Sequence, residues 1–232
     1  MRLVLDHLSA NRPFWSLAAD GVFPPGIHLV SGDVGSGKST LALMMAGLHQ
    51  PDTGTVILEG IQRPLLSFQF PEFHVTGLTV AEECRSWDLD PDAVIRAAGI
   101  HVAQETPVLS LSRGELKRLH HACVFSRDYD LLLLDEPFSS LDGPGKEWVC
   151  GQINDRKGGI TVIFTHEQSI FPRIDRIWEI IGGELIDCGD MPGALVRWQH
   201  APPLVKKLIR AGKIPLDLTP DGIREAACRT LG

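Results

Sequence analysis

Gly32-Asp33-Val34-Gly35-Ser36-Gly37-Lys38-Ser39-Thr40 decides the reading of this chain. The stretch fits G-x-x-x-x-G-K-[ST], the pattern of a phosphate-binding loop. Ile27 to Ser31, mostly apolar, precede it, and Leu41-Ala42-Leu43-Met44-Met45-Ala46 follow. Strand, glycine loop and helix in that order is the context the pattern needs. Glycine reaches backbone angles closed to other residues, so successive N–H groups can turn inward around a phosphate. The N-terminus of the following helix adds partial positive charge. The loop thus offers Gly32, Asp33, Gly35, Ser36, Gly37, Lys38, Ser39 and Thr40 as nucleotide-binding residues. Lys38 is expected to reach the β- and γ-phosphates of ATP, and Ser39 to hold Mg2+.

The 232 residues are enough for one large α/β domain with a sizeable core, or for a domain plus a small appendage. A net charge of −7 speaks against a general nucleic-acid binder. No stretch approaches the ~18 apolar residues of a membrane span. The opening Met1-Arg2-Leu3-Val4-Leu5-Asp6-His7 carries an early acid and no cleavable signal pattern. Cys84, Cys123, Cys150, Cys188 and Cys228 are widely spaced with no C-x-x-C, which fits a reduced cytoplasmic protein.

Val56-Ile57-Leu58 reads as a short strand after a turn at Pro51-Asp52-Thr53-Gly54. Leu131-Leu132-Leu133-Leu134 and Ile160-Thr161-Val162-Ile163-Phe164 are short continuous apolar runs, suited to strands covered on both faces. Between Phe70 and Phe125 the pattern turns helical and more polar, as in an inserted helical subdomain. After Gly189 the strand signals stop, and the tail reads as two short helices. Pro202 and Pro203 open the first; Leu204, Val205, Leu208 and Ile209 form its apolar stripe; Gly212 closes it. Thr219-Pro220 begins the second, which carries Ala226, Ala227 and Leu231.

Asp135 and Glu136 end the leucine run and supply the acid that a phosphate loop lacks. Asp135 suits the Mg2+ shell, and Glu136 suits the orientation or deprotonation of an attacking water. Ser112 and Glu115 in Leu111-Ser112-Arg113-Gly114-Glu115 fit the S-x-x-E capping box, with Leu116, Leu119, Cys123 and Val124 continuing a helical stripe. That helix start either caps itself only, or also presents Ser112 and its N–H groups to a phosphate. His120 and His121, adjacent on one helix, point to different faces and make a poor metal pair.

With these motifs in order, the chain resembles the ATP-binding-cassette (ABC) ATPases over nearly its full length. It carries the Walker A loop at 32–40, a Q-loop glutamine in Ser67-Phe68-Gln69, and an LSGGQ-like signature at 111–115. A Walker B pair at Asp135-Glu136, a D-loop Ser139-Ser140-Leu141-Asp142 and a switch histidine in Phe164-Thr165-His166-Glu167 follow. The resemblance implies an α/β P-loop NTPase with a RecA-like core over residues 1–198. A helical subdomain at about 70–125 is inserted in it, and residues 199–232 form a C-terminal helical extension. It implies a head-to-tail dimer with two ATP molecules at the interface, each signature facing the partner's Walker A loop through Ser112 and Gly114. Glu136 is then the catalytic base, His166 a γ-phosphate contact, and Gln69 a ligand to Mg2+ and the attacking water. Ser39 and Asp135 complete the metal set.

Phe68-Gln69-Phe70-Pro71-Glu72-Phe73-His74 looks like the FQ-x-P-E-x-Q segment of energy-coupling-factor importer ATPases, and the tail is similar to that group's extension. This implies a separate integral membrane subunit, metal-ion or vitamin uptake, a second cassette as homodimer or paralogue, no nucleic acid, and a peripheral place on the cytoplasmic face of the membrane. A soluble ABC ATPase such as an assembly factor is the alternative. Departures from the pattern are Arg113 for glycine, Glu115 for glutamine and His74 for glutamine. The usual adenine-stacking tyrosine is missing near the start, leaving Phe14, Trp15 and His7 as candidates.

Overall fold

The computed structural model describes residues 1–228. The chain begins as an antiparallel hairpin of β1 (Arg2–Arg12) and β2 (Trp15–Phe23), turning at Pro13 and Phe14. β3 (Gly26–Gly32) leads into the glycine loop and α1 (Lys38–Met45). β4 (Thr53–Glu59) returns antiparallel to β1, so the strand expected at Val56–Leu58 is longer and begins inside the expected turn. β5 (Pro64–Ser67) then enters the inserted helical segment: α2 (Val80–Ser86), α3 (Pro91–Ala98) and α4 (Arg113–Phe125). The core resumes with β6 (Leu131–Asp135), α5 (Gly143–Asp155), β7 (Ile160–Phe164), β8 (Arg176–Ile181) and β9 (Glu184–Asp190). The tail holds α6 (Ala194–Arg197), α7 (Pro203–Arg210) and α8 (Pro220–Cys228).

All strands join one sheet in the order β4-β1-β2-β9-β8-β3-β7-β6-β5. From β8 to β5 neighbouring strands run parallel, and the β1, β2, β4 side is antiparallel. Successive residues of a strand face opposite sides, and the apolar runs show it. Leu131, Leu133, Val162 and Phe164 pack into the core that includes α1. Leu132, Leu134 and Ile163 pack into the core on the other face, with Val149 and Ile153 of α5. Strands buried on both faces need no polar alternation, which is why these runs are continuous.

The inserted helices have a core of their own. Val80, Cys84, Val94, Ala98, Leu116, Leu119 and Cys123 bury one another there. Local caps fix the helix starts. Thr79 accepts from the Glu82 N–H, Asp90 from the Ala93 N–H, and Asp142 from the Gly145 N–H.

The tail divides its stripe. Val205 and Leu208 are buried, Ile209 is partly so, and Leu204 is 53% exposed. Val205 of α7 and Leu218, just ahead of α8, share one apolar cluster with Trp198, Phe171 and Ile177, and Ile223 of α8 packs against it, so the tail covers the chain's own core. Ala226 is buried and Ala227 exposed; Leu231 lies outside the described residues. Most of this stripe is therefore already occupied within the chain.

Candidate active site

The glycine loop is bent by residues that need to be glycine. Gly37 has φ 106°, and a Cβ there would lie 2.3 Å from Cζ2 of Trp15. Gly32 has φ 152°, and a Cβ there would meet Ser36 Oγ at 2.8 Å. Lys38 opens α1 but turns its ammonium back onto the loop. Its Nζ donates to the Gly32 carbonyl at 2.8 Å and to the Asp33 carbonyl at 2.9 Å. Burial lowers its pKa, against the opposing charges of Glu136, Asp135 and Asp33.

The opposite wall comes from the ends of β6 and β7, which pair in parallel register with Asp135 beside Phe164. Asp135 is buried; burial raises its pKa, while a hydrogen bond with the Ser39 side chain works against that rise. Its Oδ1 is buried and has no partner. The chain then turns sharply, with Glu136 at φ 47° and its N–H donating to the Phe164 carbonyl at 2.8 Å. The Glu136 carboxylate is gripped from β7's end. Thr165 Oγ1 donates to Oε2 at 2.8 Å, the His166 N–H donates to Oε1 at 3.1 Å, and His166 Nδ1 lies 2.7 Å from Oε1. An ionised carboxylate only accepts, so Nδ1 carries the proton in that contact.

These walls enclose a cavity of about 370 Å³ lined by Trp15, Val34, Gly35, Gly37, Lys38, Ser39, Thr40, Gln69, Glu136 and His166. Gln69, 31 positions after Lys38 in the chain, thus meets the phosphate loop across the sheet end. Gly32, Asp33 and Ser36 lie on the loop's outer side and line adjoining hollows. Ser36 Oγ is a second buried oxygen with no partner. Cationic, hydroxyl and amide groups face the Glu136 carboxylate here, and Asp135 lines an adjoining groove with Ser39 and Gln69. The arrangement can hold a polyphosphate and take a proton from a water beside it.

Ser112 and Gly114 lie outside this cavity. Ser112 makes the full capping box with Glu115: the Glu115 N–H donates to Ser112 Oγ at 3.3 Å, and the Ser112 N–H donates to Glu115 Oε2 at 3.0 Å. Its outer side is exposed, as is Arg113. Gly114 sits against the D-loop, where a Cβ would be 3.0 Å from the Ser140 carbonyl oxygen.

Of the adenine-stacking candidates, Trp15 alone lines the phosphate cavity. Phe14 projects fully into solvent beside it. His7 sits at the irregularity of β1, with Nδ1 2.7 Å from Asp20, and lines a separate hollow. Sequence reasoning did not single out Thr165 as an orienting group for Glu136. It also missed the tie between the loop and the tail. His200 Nε2 lies 3.2 Å from Asp33 Oδ1 and its Nδ1 lies 2.5 Å from buried Glu179, while Trp198 Nε1 donates to Ser31 Oγ at 2.6 Å. No local pattern announces contacts between residues this far apart.

Residues 22–139 match the family model described as ABC transporter. The energy-coupling factor transporter ATP-binding protein EcfA2 of Thermotoga maritima is 26% identical, over 87% of this chain and 86% of its own length. A protein of Pyrococcus furiosus, provisionally named an ABC transporter ATP-binding protein, is 34% identical over 72% of this chain and 70% of its own length. Among solved structures, the dimeric MJ0796 ABC transporter cassette superposes with TM-score 0.64 at 17% identity, covering 79% of this chain and 96% of that one.

Proposed function

Since this chain belongs to the ABC transporter family as an ATP-hydrolysing subunit, we propose that it drives an importer of the energy-coupling-factor type, taking up a metal ion or vitamin through a separate membrane subunit. The observation that carries the ATPase chemistry is the single cavity in which Lys38, Gln69, Glu136 and His166 meet.

In this reading Lys38 exchanges its two loop carbonyls for β- and γ-phosphate oxygens. Trp15, lying over Gly37, stacks on the adenine. Ser39, Gln69 and Asp135 form an all-oxygen set suited to Mg2+, and the unpartnered Oδ1 of Asp135 supports that fit. When bound, the ion would supply neutralising charge at the phosphates. Glu136, aligned by Thr165 and His166, accepts the proton of the attacking water, and His166 turns toward the γ-phosphate. Two cassettes, identical or paralogous, meet head to tail. Ser112 and Gly114 of one complete the phosphate site of the other, and their place outside the single-chain cavity supports this.

The importer reading rests on the segment after Gln69. Phe70 and Phe73 are 47% and 73% exposed and, with Leu43, Leu66 and Phe68, line an apolar groove that shares Gln69 and Ser39 with the nucleotide cavity. Glu72 stands exposed on the same turn. An aromatic floor beside a carboxylate suits an arginine on a coupling helix of the membrane subunit. Among the described residues no helix is long and apolar enough to cross a membrane. The chain is held at the cytoplasmic face by that subunit. Glu72→Arg is expected to abolish recovery of the membrane subunit from detergent-solubilised membranes while basal ATPase activity persists. Undiminished recovery and transport would place the coupling site elsewhere. Failure of the unaltered chain to retain any membrane protein would favour a soluble ABC ATPase.

A further inference from the structure

The entrance to Gln69 is held at three successive residues by side chains from the inserted helical segment. Ser67 Oγ lies 3.0 Å from His120 Nε2. The Phe68 N–H donates to His74 Nε2 at 3.1 Å. Lys117 Nζ donates to the Phe68 carbonyl at 3.3 Å and to the Gln69 carbonyl at 2.8 Å. His74 and His120 stack with ring centroids 4.3 Å apart, so the grip is one packed unit. Lys117 and His120 are three apart on α4 and therefore share a face. Lys117 is only 1% exposed and makes no salt bridge among the described residues.

A buried ammonium is costly unless its donors are used. Here two of its three donors are spent on backbone oxygens of the Q-loop, and burial still lowers its pKa to about 8 against the more distant charges of Asp135, Glu136 and Glu72. A methionine or leucine would fill the same space without that cost. The lysine therefore has a task that packing alone does not explain. Its helix is capped by Ser112, five residues earlier, the residue that faces the partner cassette's nucleotide in the reading above. Its ammonium ends on the backbone of Gln69, which lines this chain's own nucleotide cavity.

We propose that Lys117 is a positioning residue that fastens the start of the signature helix to the Q-loop backbone, so that engagement of Ser112 by the partner's nucleotide sets the placement of Gln69. The two motifs move as one piece because a single side chain is anchored in both. The inference rests on the ATPase reading for its mechanism, but the fastening itself is a property of the nucleotide-free chain.

Two measurements on the full-length protein test it. Hydrogen exchange of the nucleotide-free chain reads the fastening directly. Lys117→Met is expected to speed amide exchange across residues 67–74 by about tenfold while the sheet amides stay unchanged. Unchanged protection there would overturn the proposal whether or not the chain hydrolyses ATP. Steady-state kinetics read the consequence. Lys117→Met should lower kcat by about tenfold with KM for ATP within about twofold. In a Gln69→Ala background the same change should lower kcat by less than about twofold, because both substitutions interrupt one path. A full second loss in that background, or a rise in KM alone, would mean that Lys117 supports the helix generally. Lys117→Gln keeps an amide donor and should fall between the parent and Lys117→Met in both measurements. It also carries the test if the methionine variant does not fold. A parent chain with no ATPase activity would count against the active-site reading, and the exchange result would still decide the role of Lys117.

Discussion

Glu136 illustrates how much orientation a single side chain receives before any ligand arrives. A left-handed backbone turns it into the cavity, and Thr165 and His166 hold both carboxylate oxygens. Glu136→Gln retains one acceptor oxygen for those donors but cannot take a proton. ATP binding should stay within about twofold while hydrolysis falls by about 10²–10⁴, the usual worth of a general base. Equilibrium binding of a fluorescent ATP analogue beside single-turnover hydrolysis separates the two, and near-normal turnover would remove the assignment. Glu136 and His166 of this wall were legible in the sequence because acid at a strand end and histidine at the next strand end are local patterns, whereas Thr165 was not. Trp15 was legible only as one of three aromatic or imidazole candidates. Choosing it requires the β1–β2 register, which places Arg12 opposite Trp15 and leaves that ring over Gly37.

At the scale of an element, α4 carries groups whose burial works against it. His121 is fully buried, and both its ring nitrogens lack partners. Burial pushes the pKa of His120 and His121 well below the usual histidine range, with the charge of Lys117 adding to it. Burial, then Lys117, likewise pushes His74 down to about 4. A lowered folded-state pKa means that the unfolded chain binds the proton more readily. Stability from these histidines is therefore present above about pH 6.5, the unfolded value, and is lost as pH falls from there through the folded values. Each fully buried histidine contributes up to about 1.4 kcal/mol per pH unit in that window. His121→Leu removes two unpaired buried nitrogens, so it should stabilise the chain by about 1 kcal/mol at pH 7 and by more at pH 5. Urea unfolding at the two pH values checks this, and equal stability of parent and variant at both would show that His121 finds partners. The capping box of this helix could be read from Ser112 and Glu115. The grip of Lys117 and His120 on residues 67–69 could not, because it spans 48 and 53 positions of chain and leaves no periodic trace.

For the molecule as a whole, the tail is part of the cassette. Truncation after Trp198 would remove Val205 and Leu218 from a buried cluster, take away buried Leu208, and strip Glu179, 0% exposed, of its contacts to Gln199 and His200. Each buried aliphatic side chain is worth about 1.5–3 kcal/mol, and an orphaned buried carboxylate adds further loss. The truncated chain should melt far below the parent, with nucleotide binding impaired as well as any self-association. A truncated chain with an unchanged melting temperature and weakened nucleotide-free dimerisation, read by calorimetry and light scattering, would instead make contact between two cassettes the tail's main role. The phosphate loop, the helical insertion and the last two tail helices were legible from glycine spacing, apolar runs and proline positions, whereas the short α6 was not. The partners of those pieces were not, since sheet order is a long-range property. That order has a consequence for how the protein is made. β3, which carries the phosphate loop, lies between β7 and β8, and its register is fixed by residues 160–164 and 176–180. Its last supports, Trp198 and His200, come later still. A ribosome must therefore deliver most of the polypeptide before the loop synthesised near its beginning has walls to lean on. Contacts of such sequence separation are the slow ones to close, and ATP can meet a finished site only late in the life of the nascent chain.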